Sequence, residues 1–231
     1  MGRYRSEARP TQRPCVLGID EAGRGSVLGP LVVGAFWLPE ERVGELRDRG
    51  VRDSKQLSSR QREDVYRALG GVGSLRSIPL APRTIDRWVR RGGLNDLELR
   101  AFARLIREIA PETAIVDACD TNAERFERRL GALTGGGVRI VARHRADETD
   151  PVVGAASIVA KVRRDRALER LRHRLGDEVG SGYPSDPVTQ RFVEQTASEP
   201  GRPPTWMRAS WAPVQRVKRA RPARTLDDFA P

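Results

Sequence analysis

Carboxylates follow three apolar segments of the sequence. They are Asp20 and Glu21 after the first segment, Asp117 after the second and Asp147 after the third. Functional sites of open α/β sheets form at the edge where strands end, so we expect these acids to lie together. Clustered carboxylates repel one another unless cations sit between them, and hard divalent ions such as Mg²⁺ prefer oxygen ligands. The pattern therefore predicts a site for divalent cations.

The charge balance indicates the class of partner. The 231 residues include 42 Lys and Arg against 31 Asp and Glu, a formal net charge of +11, which favours a polyanion. A four-acid cluster on a basic protein fits two-metal hydrolysis of a phosphodiester, in which one ion generates the attacking hydroxide and the other stabilises the leaving oxygen. Only three of these cations are lysines, and so strong an arginine bias is equally consistent with genome composition.

Each acid taken alone has a simpler interpretation as a turn former or helix cap. The joint pattern in a basic chain favours a site. The acids just beyond it, Asp120, Glu148 and Asp150, are predicted to be cap or surface groups rather than ligands.

The adjacency of Asp20 and Glu21 needs its own explanation, because successive side chains of a strand point to opposite faces. Both reach one cluster only where the strand ends and the backbone turns away. The glycines at positions 23 and 25 permit such a turn.

The order of elements predicts an α/β fold. Two adjacent strands come first, then strands alternate with helices, and the chain finishes in helices. This order indicates a mixed sheet flanked by helices, with a helical C-terminal extension. The segment 151–175 is predicted to be one long helix that begins apolar and ends rich in arginine.

The sequence also suggests a compartment. No window approaches the run of about 20 apolar residues that a membrane span needs, and the N-terminus lacks the apolar middle of a signal peptide. Two cysteines, Cys15 and Cys119, fit a reducing environment. We therefore expect a cytoplasmic protein with no membrane partner.

Five blocks together resemble ribonuclease HII in its archaeal/eukaryotic-like form. They are GIDEAGRGSVLGPLVVGA, DSKQL, IVDACDTNAERF, HRADETDPVVGAASIVAKVRRD and GSGYPSDP, in the family's order between Val16 and Asp186. The resemblance implies a ribonuclease H-like fold and an endoribonuclease that cleaves the RNA strand of RNA–DNA hybrids. It also implies incision 5′ of single ribonucleotides in duplex DNA, with 3′-hydroxyl and 5′-phosphate ends, in ribonucleotide excision repair and primer processing during replication.

The resemblance assigns roles to individual residues. The catalytic and metal-binding acids, holding two Mg²⁺ or Mn²⁺ ions, fall on Asp20, Glu21, Asp117 and Asp147. The Gly-Arg-Gly element and the substrate-sensing tyrosine fall on Gly23, Arg24, Gly25 and Tyr183. Glycines let the backbone approach a ribose, whose 2′-hydroxyl distinguishes RNA from DNA, and an arginine can bind the neighbouring phosphate through paired hydrogen bonds. The alternative for Tyr183 is a loop tyrosine packed on the core.

Further cations are candidates for phosphate contact. Lys55 and Lys161 suit the backbone of the substrate, with a solvated surface lysine as the alternative. The arginines of the long helix are predicted to line the duplex, although a solvent-facing helix explains them nearly as well. They are Arg163, Arg164, Arg170 and Arg174.

We expect four segments: a flexible basic tail over 1–14, a ribonuclease H-like catalytic domain over 15–176, a helical C-terminal portion over 177–215 that completes the site, and a disordered basic tail over 216–231. The last tail resembles a sliding-clamp-binding peptide in Leu226 and Phe229 but has Ala223 and Ala230 where such peptides have glutamine and an aromatic residue. An ordinary disordered tail is the alternative. The resemblance favours a monomer.

Two other functions compete with this one. In the first, the chain is a basic duplex-binding protein whose acids are structural. In the second, it is an enzyme restricted to continuous hybrids, which the Gly-Arg-Gly element and Tyr183 disfavour.

Overall fold

One mixed sheet of five strands forms the centre of the part of the chain that the computed structural model describes, residues 14–49, 51 and 57–220. The strands are β1 (Cys15–Ala22), β2 (Leu31–Pro39), β3 (Ser74–Leu80), β4 (Thr113–Asp117) and β5 (Arg139–Arg143). Their order is β3-β2-β1-β4-β5. The pairs within β3-β2-β1 are antiparallel and those within β1-β4-β5 are parallel, which confirms the mixed sheet.

Helices cover both faces of this sheet. They are α1 (Ser59–Leu69), α2 (Pro82–Val89), α3 (Leu94–Ile109), α4 (Ala123–Thr134), α5 (Ala146–Thr149), α6 (Pro151–Leu175), α7 (Pro187–Ser198) and α8 (Ala212–Ala220), with 3-10 helices at Glu40–Arg49 and Asp177–Val179. Within the residues described, no helix is both long and apolar enough to cross a membrane.

The helix α6 packs directly on the backbone of β1 and β2. A Cβ atom added at Gly18 would lie 2.3 Å from the carbonyl oxygen of Val152, and one added at Gly34 would lie 2.4 Å from that of Ala156. Only glycine permits such an approach. This contact explains the apolar first half of α6 and brings the helix to the strand that carries Asp20.

The opposite face is covered by α3 and α4, where the rings of Phe102 and Phe126 meet edge to face at 5.6 Å. A third apolar cluster joins the C-terminal helices to the segment after β1, through residues such as Leu28, Met207 and Val214. The C-terminal portion therefore packs against the turn that follows Asp20 and Glu21.

The structure adds elements that the sequence pattern did not predict, namely α5, α8 and the 3-10 helix over 40–49. α8 continues to Ala220, past the tail boundary predicted at 215. The tail residues 1–13 and 221–231 lie outside the described residues, and so does the candidate clamp-binding peptide.

Candidate active site

Asp20 and Glu21 lie near the end of β1 but still within it. Asp20 pairs with Gly34 and Glu21 with Val33 on β2. The sequence predicted that the backbone would turn away at these acids, and the structure corrects this: the turn comes after them. Their side chains therefore alternate, with Asp20 on the α6 side of the sheet and Glu21 on the α3 side.

Asp20 is the most confined of the predicted acids. Its residue is 5% exposed, and burial raises its pKa from 3.8 to about 7, with Asp117 and Asp147 adding to the rise. The hydroxyl of Ser157 on α6 opposes the shift, although its Oγ atom makes no hydrogen bond of normal geometry. The carboxylates of Asp117 on β4 and Asp147 on α5 are thus close enough to that of Asp20 on β1 to affect its protonation.

Asp117 and Asp147 are brought together by a turn after β5. Asp117 is the last residue of β4, and its Oδ1 accepts a hydrogen bond of 3.0 Å from the N–H of Ala146. β5 ends at Arg143, so Asp147 is on α5 and not at a strand end as predicted. Between the end of β5 and the start of α5, Arg145 adopts a left-handed backbone conformation with a φ of +57°, which turns the chain.

A second group of charges lies on the α3 side. Burial raises the pKa of Glu21 well above 4.5, and the carboxylates of Asp20 and Glu98 raise it further. Burial likewise raises the pKa of Glu98, while Arg24 opposes the shift through an ion pair with it. Arg24 Nη2 also donates to Asn95 Oδ1 at 2.5 Å. A phosphate bound by Arg24 would have to share the guanidinium with these partners.

Glu98 and Arg208 are buried charged residues that the sequence interpretation missed. Glu98 had a usable signal, because it occupies the apolar face of α3 one turn before Phe102. Arg208 lies in the block PPTWMRASW, which resembles the C-terminal end of the family, but no pattern within that block marks its side chain as buried.

The donor set fits a hard divalent cation. Among the residues described, no three His, Cys, Asp or Glu side chains are arranged to hold a metal ion by themselves. Mg²⁺ commonly uses one or two carboxylates, completed by water and substrate phosphate oxygens. Oε2 of Glu21 is buried and lacks a hydrogen-bond partner, and the carboxylates of Asp117 and Asp147 repel that of Asp20, which adds to the burial that raises its pKa. A bound cation would satisfy both.

The Gly-Arg-Gly element forms a turn directly after β1. Gly23 has a φ of +84°, and a Cβ atom there would lie 3.1 Å from the carbonyl oxygen of Pro30. The N–H of Ser26 donates to the Gly23 carbonyl at 3.2 Å. A Cβ atom at Gly25 would meet no protein atom within 4 Å. Only the first glycine is thus required by the fold.

The loop that carries Tyr183 lies against this turn. The carbonyl of Gly182 accepts hydrogen bonds from the N–H groups of Val27 and Leu28 at 2.8 and 3.3 Å, and from Ser26 Oγ at 2.8 Å. The structure therefore brings Tyr183 and the Gly-Arg-Gly element to the same region, as required if both contact one substrate.

The remaining basic candidates differ in location and in exposure to solvent. Lys161 lies one helical turn after Ser157 on the same side of α6. Lys55 is outside the described residues. Arg164 is buried, so the prediction that it faces the duplex is wrong. The exposed arginines of this helix are Arg163, Arg170 and Arg174.

Of the acids predicted to be caps or surface groups, Glu148 and Asp150 are so placed, whereas Asp120 is buried and is not the N-cap of α4. Asp120 pairs with Arg125, and Asp150 caps α6 by accepting two N–H groups of its first turn. Glu148 pairs with Arg145 at 2.6 Å.

Comparison with known proteins gives consistent matches over most of the chain. Residues 17–214 match the model of the family described as Ribonuclease HII. A ribonuclease HII of Thermofilum pendens is 47% identical over 211 residues, covering 88% of this chain and 99% of the relative. That of Cenarchaeum symbiosum is 44% identical over 204 residues, covering 88% and 98%.

Solved structures agree with the sequence matches. The ribonuclease H2 of Pyrococcus horikoshii has a TM-score of 0.82 at 37% identity and covers 89% of this chain and 97% of its own. Ribonuclease HII in the PCNA complex from Archaeoglobus fulgidus has a TM-score of 0.80 at 39% identity, covering 93% and 100%.

Proposed function

The chain belongs to the ribonuclease HII family and is a ribonuclease H with endoribonuclease activity on RNA–DNA, and we propose that it both cleaves the RNA strand of hybrids and incises 5′ of single ribonucleotides in duplex DNA. Its roles would be ribonucleotide removal and primer processing. The observation that carries the proposal is that three carboxylates lie close together at one edge of the sheet: Asp117 and Asp147 both act on Asp20, and Asp117 Oδ1 accepts a hydrogen bond from the N–H of Ala146, the residue before Asp147.

Enzymes of this family depend on divalent metal ions. Here the ligands would be the carboxylates of Asp20, Glu21, Asp117 and Asp147. When bound, two Mg²⁺ or Mn²⁺ ions supply activation of water and stabilisation of the leaving oxygen, giving 3′-hydroxyl and 5′-phosphate ends. The protein holds its acids ready at the sheet edge, with Asp117 fixed by the N–H of Ala146.

Substrate recognition would come from the turn and loop beside the acids. The turn of Gly23, Arg24 and Gly25 offers backbone groups to the 2′-hydroxyl of a ribose. Tyr183 would pack on the sugar at the ribose–deoxyribose junction. Lys161, together with Lys55, would contact backbone phosphates.

The relative from Archaeoglobus fulgidus forms a complex with PCNA. We propose the sliding clamp as a partner of the C-terminal tail here too, with affinity reduced by the alanines at 223 and 230. Calorimetric titration of a clamp with the full chain and with a chain ending at Ala220 tests this, and equal heats from both would contradict it.

Incision of a duplex with one ribonucleotide tests the activity. With Mg²⁺ or Mn²⁺ we expect a cut 5′ of the ribonucleotide, with 3′ ends that a polymerase extends. Asp20→Asn and Asp117→Asn should abolish cutting and keep duplex binding. Asp120→Asn is the matched control, because Asp120 pairs with Arg125 and should leave the rate unchanged.

The outcomes separate the alternatives. Cutting at normal rates by Asp20→Asn and Asp117→Asn would refute the carboxylate assignment. An intact single-ribonucleotide duplex beside a cleaved hybrid would restrict the enzyme to continuous hybrids.

A further inference from the structure

Arg208 is a fully buried arginine that contacts the Gly-Arg-Gly turn from the C-terminal portion of the chain. Its Nη2 donates to the Gly23 carbonyl at 2.7 Å, its Nη1 to the Arg24 carbonyl at 2.8 Å and its Nε to the Gly29 carbonyl at 3.2 Å. The planar guanidinium presents its donors in a rigid fork. The Arg208 side chain therefore fixes the position of Gly23 and Arg24 relative to Gly29, later in the same segment.

The guanidinium of Arg208 is satisfied by carbonyl oxygens rather than by a carboxylate. Its Cζ lies 4.9 Å from the centre of the Trp211 ring. Burial, together with the nearby Arg164 guanidinium, lowers its pKa to about 10, so the side chain is still charged at neutral pH. Burying a cation in this way is costly, which indicates that the arrangement of the backbone depends on it.

The segment that carries Arg208 is itself held in place. The carboxylate of Asp86 on α2 accepts hydrogen bonds from the N–H of Ala209 at 3.0 Å and from the N–H and Oγ of Ser210 at 2.9 and 2.6 Å. The N–H of Arg208 donates to the Val27 carbonyl at 2.9 Å. Asp86 thus holds the segment that carries Arg208, and Arg208 in turn holds the segment after β1.

These bonds decide which groups the turn can offer to a ligand. The Gly23 carbonyl already accepts from Ser26 and from Arg208, so both of its lone pairs are used. Within the described part of the chain, the N–H groups of Arg24 and Gly25 donate to no backbone carbonyl. The turn therefore retains these two N–H groups as donors for a ribose hydroxyl, while the Gly23 carbonyl has no acceptor capacity left.

We propose that Arg208 is a positioning residue for ribose recognition. It draws the carbonyls of Gly23 and Arg24 toward the protein and leaves the N–H groups of Arg24 and Gly25 available for the 2′-hydroxyl. The inference rests on the proposed function, because it assigns specificity for a ribonucleotide to this turn.

The test measures binding preference in the Asp20→Asn background, where the substrate stays intact. Fluorescence anisotropy with Mg²⁺ gives the affinity for a duplex with one ribonucleotide and for the same duplex in DNA alone. The variants are Arg208→Met, Arg208→Lys and Asp86→Asn. Val193→Ala is the control, because Val193 belongs to the same C-terminal apolar cluster and has no part in the turn. Thermal melts followed by circular dichroism identify a temperature at which every variant is folded, and the affinities are measured at that temperature.

We expect Arg208→Met to reduce the preference for the ribonucleotide about tenfold, or about 1.4 kcal/mol, with affinity for the DNA duplex kept. Arg208→Lys should not restore it, because one ammonium group lacks the fork. Val193→Ala should keep the preference. If Arg208→Met does not fold, Arg208→Lys and Asp86→Asn decide the question.

An unchanged preference in the folded Arg208 variants would overturn the inference. So would an equal loss of affinity for both duplexes, which would show that Arg208 serves folding alone. A parent protein that does not prefer the ribonucleotide would instead overturn the proposed single-ribonucleotide activity, and the inference with it.

Discussion

Arg164 lies beneath the ring of Tyr183, with its Cζ 4.4 Å from the ring centre. The same guanidinium donates from Nη2 to the Ser181 carbonyl at 2.7 Å and to Ser26 Oγ at 3.2 Å. Arg164 is buried, and a desolvated cation–π contact contributes about 2 kcal/mol. The tyrosine is therefore held in place before substrate arrives, by a residue that also fixes the turn after β1.

Replacing Tyr183 should separate the two substrates. Tyr183→Ala removes the ring, so we expect incision at a single ribonucleotide to fall about tenfold or more, a loss of at least about 1.4 kcal/mol in transition-state binding. Cleavage of a continuous hybrid should fall less, since a hybrid offers many registers. Tyr183→Phe keeps the stack on Arg164 and serves as the control. Equal losses on both substrates would show that Tyr183 does not sense the junction.

The acids should make the metal-free protein less stable as the pH rises. The pKa of Asp20 is raised by folding to about 7, mainly by burial, so the folded state binds this proton more tightly than the unfolded state. Stability from this group is full at pH values below 3.8 and is lost as the pH rises toward 7. Metal ligands must be deprotonated, so Mn²⁺ should raise the melting temperature more at pH 8 than at pH 5.5.

Differential scanning fluorimetry of the wild type and Asp20→Asn checks this dependence. The variant should lose most of the difference between the two pH values, whereas Asp120→Asn should keep it. An equal stabilisation by Mn²⁺ at both pH values would contradict the expected coupling between proton and metal.

Much of this arrangement was predictable from local pattern. The apolar segments before Asp20 and Asp117 predict strands, and the structure contains β1 and β4 there. The helical period over 94–109 predicts a helix, and the structure contains α3 there. The sequence pattern predicts Asp147 at a strand end, because the four residues of α5 are too few to show a helical period. Glu98 was detectable, because a charged residue on the apolar face of α3 is unusual there and indicates a buried carboxylate.

Arg208 shows the limit of such reasoning. Its guanidinium binds carbonyls 179 to 185 residues earlier in the chain. No local periodicity reports a contact of that separation. In a chain with 42 basic residues, a buried arginine has the same appearance in sequence as a solvated one.

Glu98 should contribute to stability through its ion pair. Glu98→Gln removes the ion-pair partner of Arg24, and we expect a loss of about 1–3 kcal/mol in the free energy of unfolding, below the value for a wholly buried pair because Arg24 is partly exposed. Urea denaturation at pH 7 measures this. Glu108→Gln is the control, since its pairs with Arg76 and Arg104 lie at the surface and should matter little. Equal losses in the free energy of unfolding from Glu98→Gln and Glu108→Gln would contradict a stabilising role for the ion pair between Glu98 and Arg24.

The two glycines of the turn should respond to alanine in opposite ways. Gly23→Ala forces a side chain into a φ of +84° next to Pro30, so we expect a loss of about 1–2 kcal/mol in stability. Gly25→Ala meets no protein atom, so urea denaturation should show stability unchanged within about 0.5 kcal/mol. If a ribose packs on this backbone, the added methyl group of Gly25→Ala still blocks it, and incision should fall about tenfold or more, a loss of at least about 1.4 kcal/mol. A fully active Gly25→Ala enzyme would show that the substrate does not approach the turn at this residue.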